Sequence, residues 1–292
     1  MKMEILSKGN KGQTIIILTG MGCSFDEWYN ITKVLSQTNR VVMFHRPGLG
    51  ESEIRNGNET RNTQAVVNEL LELLTVLEIT EPIILVGHSY GGLCAQHFVK
   101  THPQKVAGIV LVDSTSVDLQ ELDQLHLPVL DEDETDEDWL EKCNSYSSME
   151  EEQLKRILNP TIPEELKSIP EEIQQRLLDF QIKPSLYKAM HSEISNWKQD
   201  AKIIKSLETT INVPLIVLGR DKEFNIKLGK QDGLPEGELI IFEEKWQELI
   251  NRQVNLSNDS KIVFVRGASH SIHINRPGII IQIISEIVNK HT

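Results

Sequence analysis

Six short runs of contiguous apolar, mostly β-branched residues punctuate this chain, at 15–18, 41–44, 83–86, 106–112, 215–218 and 262–265. None alternates polar with apolar, so both faces of each run must be buried. Strands of that kind belong to parallel sheets covered by helices. The segments between them carry helical spacing. Residues 63–78 set Val66, Leu70, Leu73, Leu74 and Leu77 on one stripe, and 237–254 do the same with Leu239, Phe242, Trp246 and Leu249. Residues 90–101 follow the third run directly, and 277–289 open on Pro277, a favourable first-turn residue. Strand and helix in alternation predict an α/β fold, a mostly parallel central sheet with helices on both faces and right-handed crossovers.

The alternation lapses between about 115 and 212. No strong strand pattern appears there, and Pro160, Pro163, Pro170 and Pro184 punctuate a stretch rich in Glu, Gln, Leu, Lys and Ile. This predicts a helical cap at 115–212 inserted into a core made of 1–114 and 213–292. Residues 121–152 hold thirteen acidic side chains against one lysine, which accounts for nearly all of the chain's net charge of −13. The run reads as a solvated face. It is not a calcium loop, because the sixth position counted from Asp131 is Asp136 rather than glycine. So acidic a chain is a poor partner for nucleic acid, whose phosphates need clustered Lys and Arg. Three scattered cysteines, Cys23, Cys94 and Cys143, support neither a disulfide framework nor a Cys-rich zinc site. No run approaches the ~18 apolar residues of a membrane helix, and the opening Met1-Lys2-Met3-Glu4 has no apolar leader. A cytoplasmic protein with no membrane association is the expectation.

The chemistry concentrates at Gly87-His88-Ser89-Tyr90-Gly91-Gly92, between the third apolar run and a helical segment. Gly-x-Ser-x-Gly in that context lifts the serine hydroxyl on a sharp turn at the sheet's C-terminal edge. Gly87 and Gly91, without Cβ atoms, let strand and helix close around the turn. The glycine pairs Gly20/Gly22 and Gly48/Gly50 lack the third glycine of a dinucleotide fingerprint, and no Walker loop is present, so no cofactor is implied.

With these residues the chain resembles the α/β-hydrolase superfamily over nearly its whole length. The Gly87–Gly92 segment is similar to its nucleophile elbow. Thr19-Gly20-Met21-Gly22 resembles its oxyanion loop, with Thr19 in place of the usual His. Arg46-Pro47-Gly48-Leu49-Gly50-Glu51-Ser52 resembles the loop after the next strand, with His45 where Asp is common. Ala268-Ser269-His270-Ser271-Ile272-His273, followed by Pro277, resembles its catalytic-histidine loop. The resemblance implies Ser89 as nucleophile and His270 as its base, with backbone N–H groups of Met21 and Tyr90 as oxyanion hole. His273, three residues on, would pack or line the pocket, and a metal role for the pair lacks a completing ligand. The triad acid has two family positions. One, at the end of the strand after the nucleophile, is Asp113; the other, after the 215–218 run, offers Asp221 or Glu223. Asp113 is the first choice and Asp221 the alternative.

A serine nucleophile excludes the branches that form an alkyl ester on an aspartate. What remains is acyl transfer to water, and cleavage of a small carboxylic ester through an acyl-enzyme is the expected activity. The alternative is a ligand sensor or signalling protein on the same fold, with slow or single turnover. Trp139, Tyr146, Met149, Phe180, Tyr187, Met190 and Trp197 make the cap either self-packed or a cover for an apolar or aromatic substrate.

Overall fold

The computed structural model describes residues 2–54, 60–132, 135–209 and 211–291. Asp133 and Glu134 of the acidic run lie outside the described residues. Along the chain come β1 (Ile5–Lys8), β2 (Thr14–Leu18), α1 (Tyr29–Leu35), β3 (Arg40–Phe44), α2 (Thr63–Val76), β4 (Ile83–His88), α3 (Tyr90–Thr101) and β5 (Val106–Val112). Then follow α4 (Asp136–Ser147), α5 (Glu151–Leu158), α6 (Glu171–Gln181), α7 (Pro184–Ser206), β6 (Leu215–Gly219), α8 (Lys222–Gln231), α9 (Glu236–Arg252), β7 (Ser260–Phe264), α10 (Ile272–Asn275) and α11 (Pro277–His291).

The seven strands form one sheet in the order β1-β3-β2-β4-β5-β6-β7. All neighbours are parallel except β1, which pairs antiparallel with β3. Each apolar run divides between the two faces, because successive side chains of a strand point to opposite sides. Ile16, Leu18, Val42, Ile109 and Leu111 enter one core with α2 and α3, while Ile15, Ile17, Val41, Val110 and Val112 enter the other with α1 and α11. The sheet and its two helical layers are therefore as the sequence predicts. β1 escaped the sequence reading because its four residues, Ile5-Leu6-Ser7-Lys8, hold only two apolar side chains, a pattern too weak to stand out.

Helices α4–α7 stand between β5 and β6. They build a small core of their own from Leu154, Phe180, Leu186, Tyr187 and Ile194, into which Leu49 of the sheet's upper edge inserts. Thr135 starts α4 with a reciprocal cap to Asp138, and Pro184 opens α7 at its first turn rather than breaking a helix. Two buried carboxylates of α7 fasten it to the rest. Asp200 accepts from the Thr63 amide at 2.8 Å, and Glu193 takes the Arg46 guanidinium in a fork of 2.7 and 3.1 Å. Among the described residues no helix is long and apolar enough to cross a membrane.

Candidate active site

β4 is buried from end to end and delivers the chain to Ser89, whose backbone turns to φ 51°, ψ −124° before α3 begins. A non-glycine residue in that region stores about 1–3 kcal/mol of strain and persists only where its surroundings hold it. The hold is visible: the Ser89 amide donates to the Val112 carbonyl at 3.2 Å, and the Ser89 carbonyl accepts from Gly92 at 2.8 Å. A Cβ on Gly87 would meet the Gly91 carbonyl oxygen and the Gly92 Cα at 2.6 Å each, so the turn cannot close around any larger residue.

The loop after β2 comes up against Ser89; a Cβ on Gly20 would lie 3.2 Å from Ser89 Cβ. Arg46, 2% exposed, fixes that loop from below. Its guanidinium donates to the Thr19 carbonyl at 2.8 Å and the Gly20 carbonyl at 3.0 Å, besides the two bonds to Glu193. Burial works against the Arg46 charge, but Glu193 more than offsets this and keeps the guanidinium firmly ionised. With the two carbonyls turned to Arg46, the Met21 amide is left without a backbone acceptor among the described residues. Tyr90, at the first position of α3, is likewise free of one.

Asp113 ends β5 with φ 40° and is fully buried. Its Oδ2 lies 2.6 Å from His270 Nδ1; its Oδ1 accepts from the Arg220 amide and from the Trp246 indole N–H, both at 3.1 Å. Burial alone would raise its pKa. The His270 hydrogen bond, the Arg220 charge and the Trp246 indole overcome that and hold the carboxyl below its ordinary value, hence ionised. An ionised carboxylate only accepts, so His270 Nδ1 carries a proton toward it, and the ring's Nε2 is the nitrogen left to act as base in the neutral imidazole. Trp246 packs edge-on to the ring at 5.7 Å, and a His88 Nε2–H bond to the His270 backbone carbonyl at 3.1 Å ties down the loop that carries it.

The other sequence candidates sit elsewhere. Asp221 caps α8, accepting from the Phe224 amide at 3.2 Å and from the Gly267 amide at 2.7 Å. It steadies the loop that carries His270 without touching the imidazole. Glu223 is exposed beside Lys222. His273 is buried against Trp28, with Nε2 bonded to Glu27 at 3.0 Å; burial, reinforced by His270, pushes its pKa down to about 3. Burial also pushes Glu27 up to about 7 and His88 well below the usual histidine range. Cys94 and Cys143 are buried, and burial pushes the Cys23 thiol well up, so none is a poised thiolate. No group of three His, Cys, Asp or Glu side chains among the described residues is arranged to hold a metal ion.

Ser89 and His270 line one cavity of about 450 Å³. No side-chain hydrogen bond joins them among the described residues, a looseness common in such sites before substrate enters. Trp139 of α4 and Trp197 of α7 reach the cavity wall, as does Trp246 of α9. Phe180 and Tyr187, with Tyr146, Met149 and Met190 beside them, make the insertion's own core; Trp197 packs against that core and also lines the cavity, as does Trp139. Sequence reasoning missed Trp246 and the Arg220–Glu243 pair behind it. On the sequence Trp246 is one more apolar position of an amphipathic helix; its indole N–H bond to a buried carboxylate has no local signature.

A second string of hydroxyl, imidazole and carboxylate lies nearby. His45 Nδ1 is 2.7 Å from Glu4 Oε2, and His45 Nε2 is 3.2 Å from Ser24 Oγ and 3.1 Å from the Phe25 amide. Ser24 and His45 are each 1% exposed, and Ser24 also caps the Asp26 amide at 3.1 Å. Glu4 accepts further bonds from the Glu51 amide and from Arg176.

The comparisons with known proteins agree with the fold. A family model described as alpha/beta hydrolase fold matches residues 13–144. Over 94% of its length the chain is 23% identical to the Bacillus subtilis protein YqjL, which is uncharacterized, covering 82% of that protein. Among solved structures it superposes on a thermophilic esterase from Thermogutta terrifontis with a TM-score of 0.68 at 17% identity, covering 99% of this chain and 93% of that one. A candidate epoxide hydrolase from Pseudomonas aeruginosa gives 0.72 at 17% identity, with 99% and 92% covered. At such identities the likeness carries the fold and leaves the reaction to the residues of the site.

Proposed function

From the premise that the chain belongs to the α/β-hydrolase superfamily, we propose that it is a serine hydrolase that cleaves a small carboxylic ester through an acyl-enzyme. The observation that carries this reading is the 2.6 Å bond from Asp113 to His270, placed so that the free face of the imidazole and the strained Ser89 open on the same cavity. His270 Nε2 takes the Ser89 proton as the hydroxyl attacks the acyl carbon. Asp113 holds the ring's tautomer and stabilises the imidazolium that forms. The Met21 and Tyr90 amides receive the oxyanion, a contribution that for one such donor is typically ~3 kcal/mol of the barrier. His270 then hands the proton to the leaving alcohol, and a water activated by the same nitrogen releases the acid. The insertion at 115–212, which contains helices α4–α7, serves as a cap over the core formed by 1–114 and 213–292. No cofactor takes part.

Arg46 and Glu193 position the hole in this scheme. They hold the carbonyls of Thr19 and Gly20, and in this reading the next amide, that of Met21, is the one that faces the reacting oxygen. A panel of neutral esters with a range of chain lengths tests the reading. Many turnovers per protein molecule, abolished in Ser89→Ala, are expected. A single stoichiometric burst with product retained would instead fit a ligand sensor, and no acyl transfer at all would end the proposal.

A further inference from the structure

Three of the chain's four tryptophans, from three separate helices, converge on the cavity that holds Ser89 and His270. Two turn their polar atoms away from it: the Trp197 indole N–H donates to Asp136 at 2.9 Å, and that of Trp246 donates to Asp113. What they offer a ligand is hydrocarbon and π-face. Beyond Ser89 and His270, two of the polar side chains in the wall are already bonded within the protein. The Ser114 hydroxyl accepts from Gln96 and donates to the Thr115 carbonyl, and the Ser116 hydroxyl accepts from the Asp118 amide. Leu119, Leu122 and Leu249 complete the apolar lining, and no Asp, Glu, Lys or Arg side chain is part of it. A charged ligand entering here would lose its hydration with no partner in return.

The tryptophans also discriminate between kinds of ring partner. The Arg220 guanidinium lies 4.3 Å from the Trp246 ring, and the Lys142 ammonium 4.9 Å from that of Trp139. Each ring already has a protein cation on its π-system, so a ligand cation would compete for the same electrons beside a like charge. A neutral aromatic ring meets no such conflict and gains offset or edge-on contact beyond plain area burial.

We infer that the substrate of this site is an uncharged ester carrying an aromatic ring, recognised by Trp139, Trp197 and Trp246. The inference rests on the hydrolase reading, so its test must separate the two. Matched esters with the same reacting centre do so. Methyl 3-phenylpropanoate against methyl 3-cyclohexylpropanoate places the ring on the acyl side; 2-phenylethyl acetate against 2-cyclohexylethyl acetate places it on the alcohol side. In at least one pair the phenyl ester should have the higher kcat/KM by about tenfold, the scale of one aromatic contact. Acetylcholine should be turned over more slowly than its neutral isostere 3,3-dimethylbutyl acetate. Trp197→Leu should shrink the phenyl preference. Should that variant fail to fold, quenching of wild-type tryptophan fluorescence by 2-phenylethanol at concentrations where 2-cyclohexylethanol is silent gives the same information without turnover. Ester hydrolysis with both pairs at parity and no selective quenching overturns the aromatic assignment and leaves the hydrolase standing. No turnover of any ester, with selective quenching retained, overturns the hydrolase and keeps the aromatic site.

Discussion

Ser24, His45 and Glu4 are joined by hydrogen bonds from end to end, whereas Ser89 and His270 are not joined in this structure. Judged by connectivity alone, the first string would be the better catalytic candidate. The difference lies in what each group has left to give. His45 Nε2 has one lone pair, and the Phe25 amide holds it. Ser24 Oγ is committed to the Asp26 amide and sealed at 1% exposure. Glu4 is shared among His45, Glu51 and Arg176, and a cleft that passes Glu4 and His45 does not include Ser24 in its lining. This string ties the N-terminal edge strand, the loop after β2 and helix α6 together. At the other, Ser89 stands on a strained turn, and among the described residues His270 Nε2 has no side-chain partner and two backbone amides beside Ser89 lack backbone acceptors. A saturated set of bonds marks structure; an unsaturated set held rigidly around a cavity marks chemistry.

The sharpest way to break this contrast is to delete each hydroxyl. Ser89→Ala should lower ester turnover by a factor on the order of 10⁶. Ser24→Ala should leave turnover within a few-fold and instead lower thermal stability, by about 1 kcal/mol for the lost cap. Steady-state kinetics and melting curves on the two variants check this, and an inactive but stable Ser24→Ala would reverse the assignment.

Next in size come the carboxylates. Asp113→Asn should lower kcat by about 10⁴, because the amide can donate to Nδ1 and favours the wrong tautomer. Asp221→Asn should lower the melting temperature with kcat little changed, since its bonds go to the Phe224 and Gly267 amides.

The two anchors of α7 sharpen the comparison further. Glu193→Gln should reduce kcat by about 10²-fold, the scale of a misplaced group in a preorganised site, with KM little altered. Asp200→Asn, which loosens the same helix at Thr63, should cost stability and leave kcat in place. Equal kinetic losses in both would mean that Glu193 acts only as a fastener.

The smallest effect is one of pH. Burial would raise the Glu4 carboxyl, but bonds from His45, the Glu51 amide and Arg176 bring it down to about 2 from 4.5. A depressed carboxyl contributes stability that is present above the unfolded value and lost as pH falls through the folded one. The wild type should therefore lose more stability than Glu4→Gln between pH 4.5 and 2, as measured by denaturant titration at each pH.

The sheet was legible because a strand buried on both faces needs a continuous apolar run; the five inner strands have one, and so does β7, although it lies at an edge and is only half-buried. The seventh, β1, is an edge strand held by partners rather than by its own pattern. The bend at Ser89 was legible because Gly87 and Gly91 mark locally where strand and helix must close on each other. The partner of His270 was not, since Asp113, Asp221 and Glu223 all follow strands at plausible places, and only the packing of α9, with Trp246 and Arg220 closing over Asp113, separates them. His45 stands out in the sequence only as a residue where Asp is common; nothing local records that it joins Glu4, forty-one residues earlier, to Ser24.

The central claim is that Ser89 is activated by His270 under the control of Asp113, and fluorophosphonate labelling with peptide mapping tests it most directly. Label on Ser89 alone, abolished in His270→Ala, strongly slowed in Asp113→Asn and unchanged in Asp221→Asn, is the predicted result. Label at any other residue, or undiminished labelling of Ser89 without His270, would contradict it.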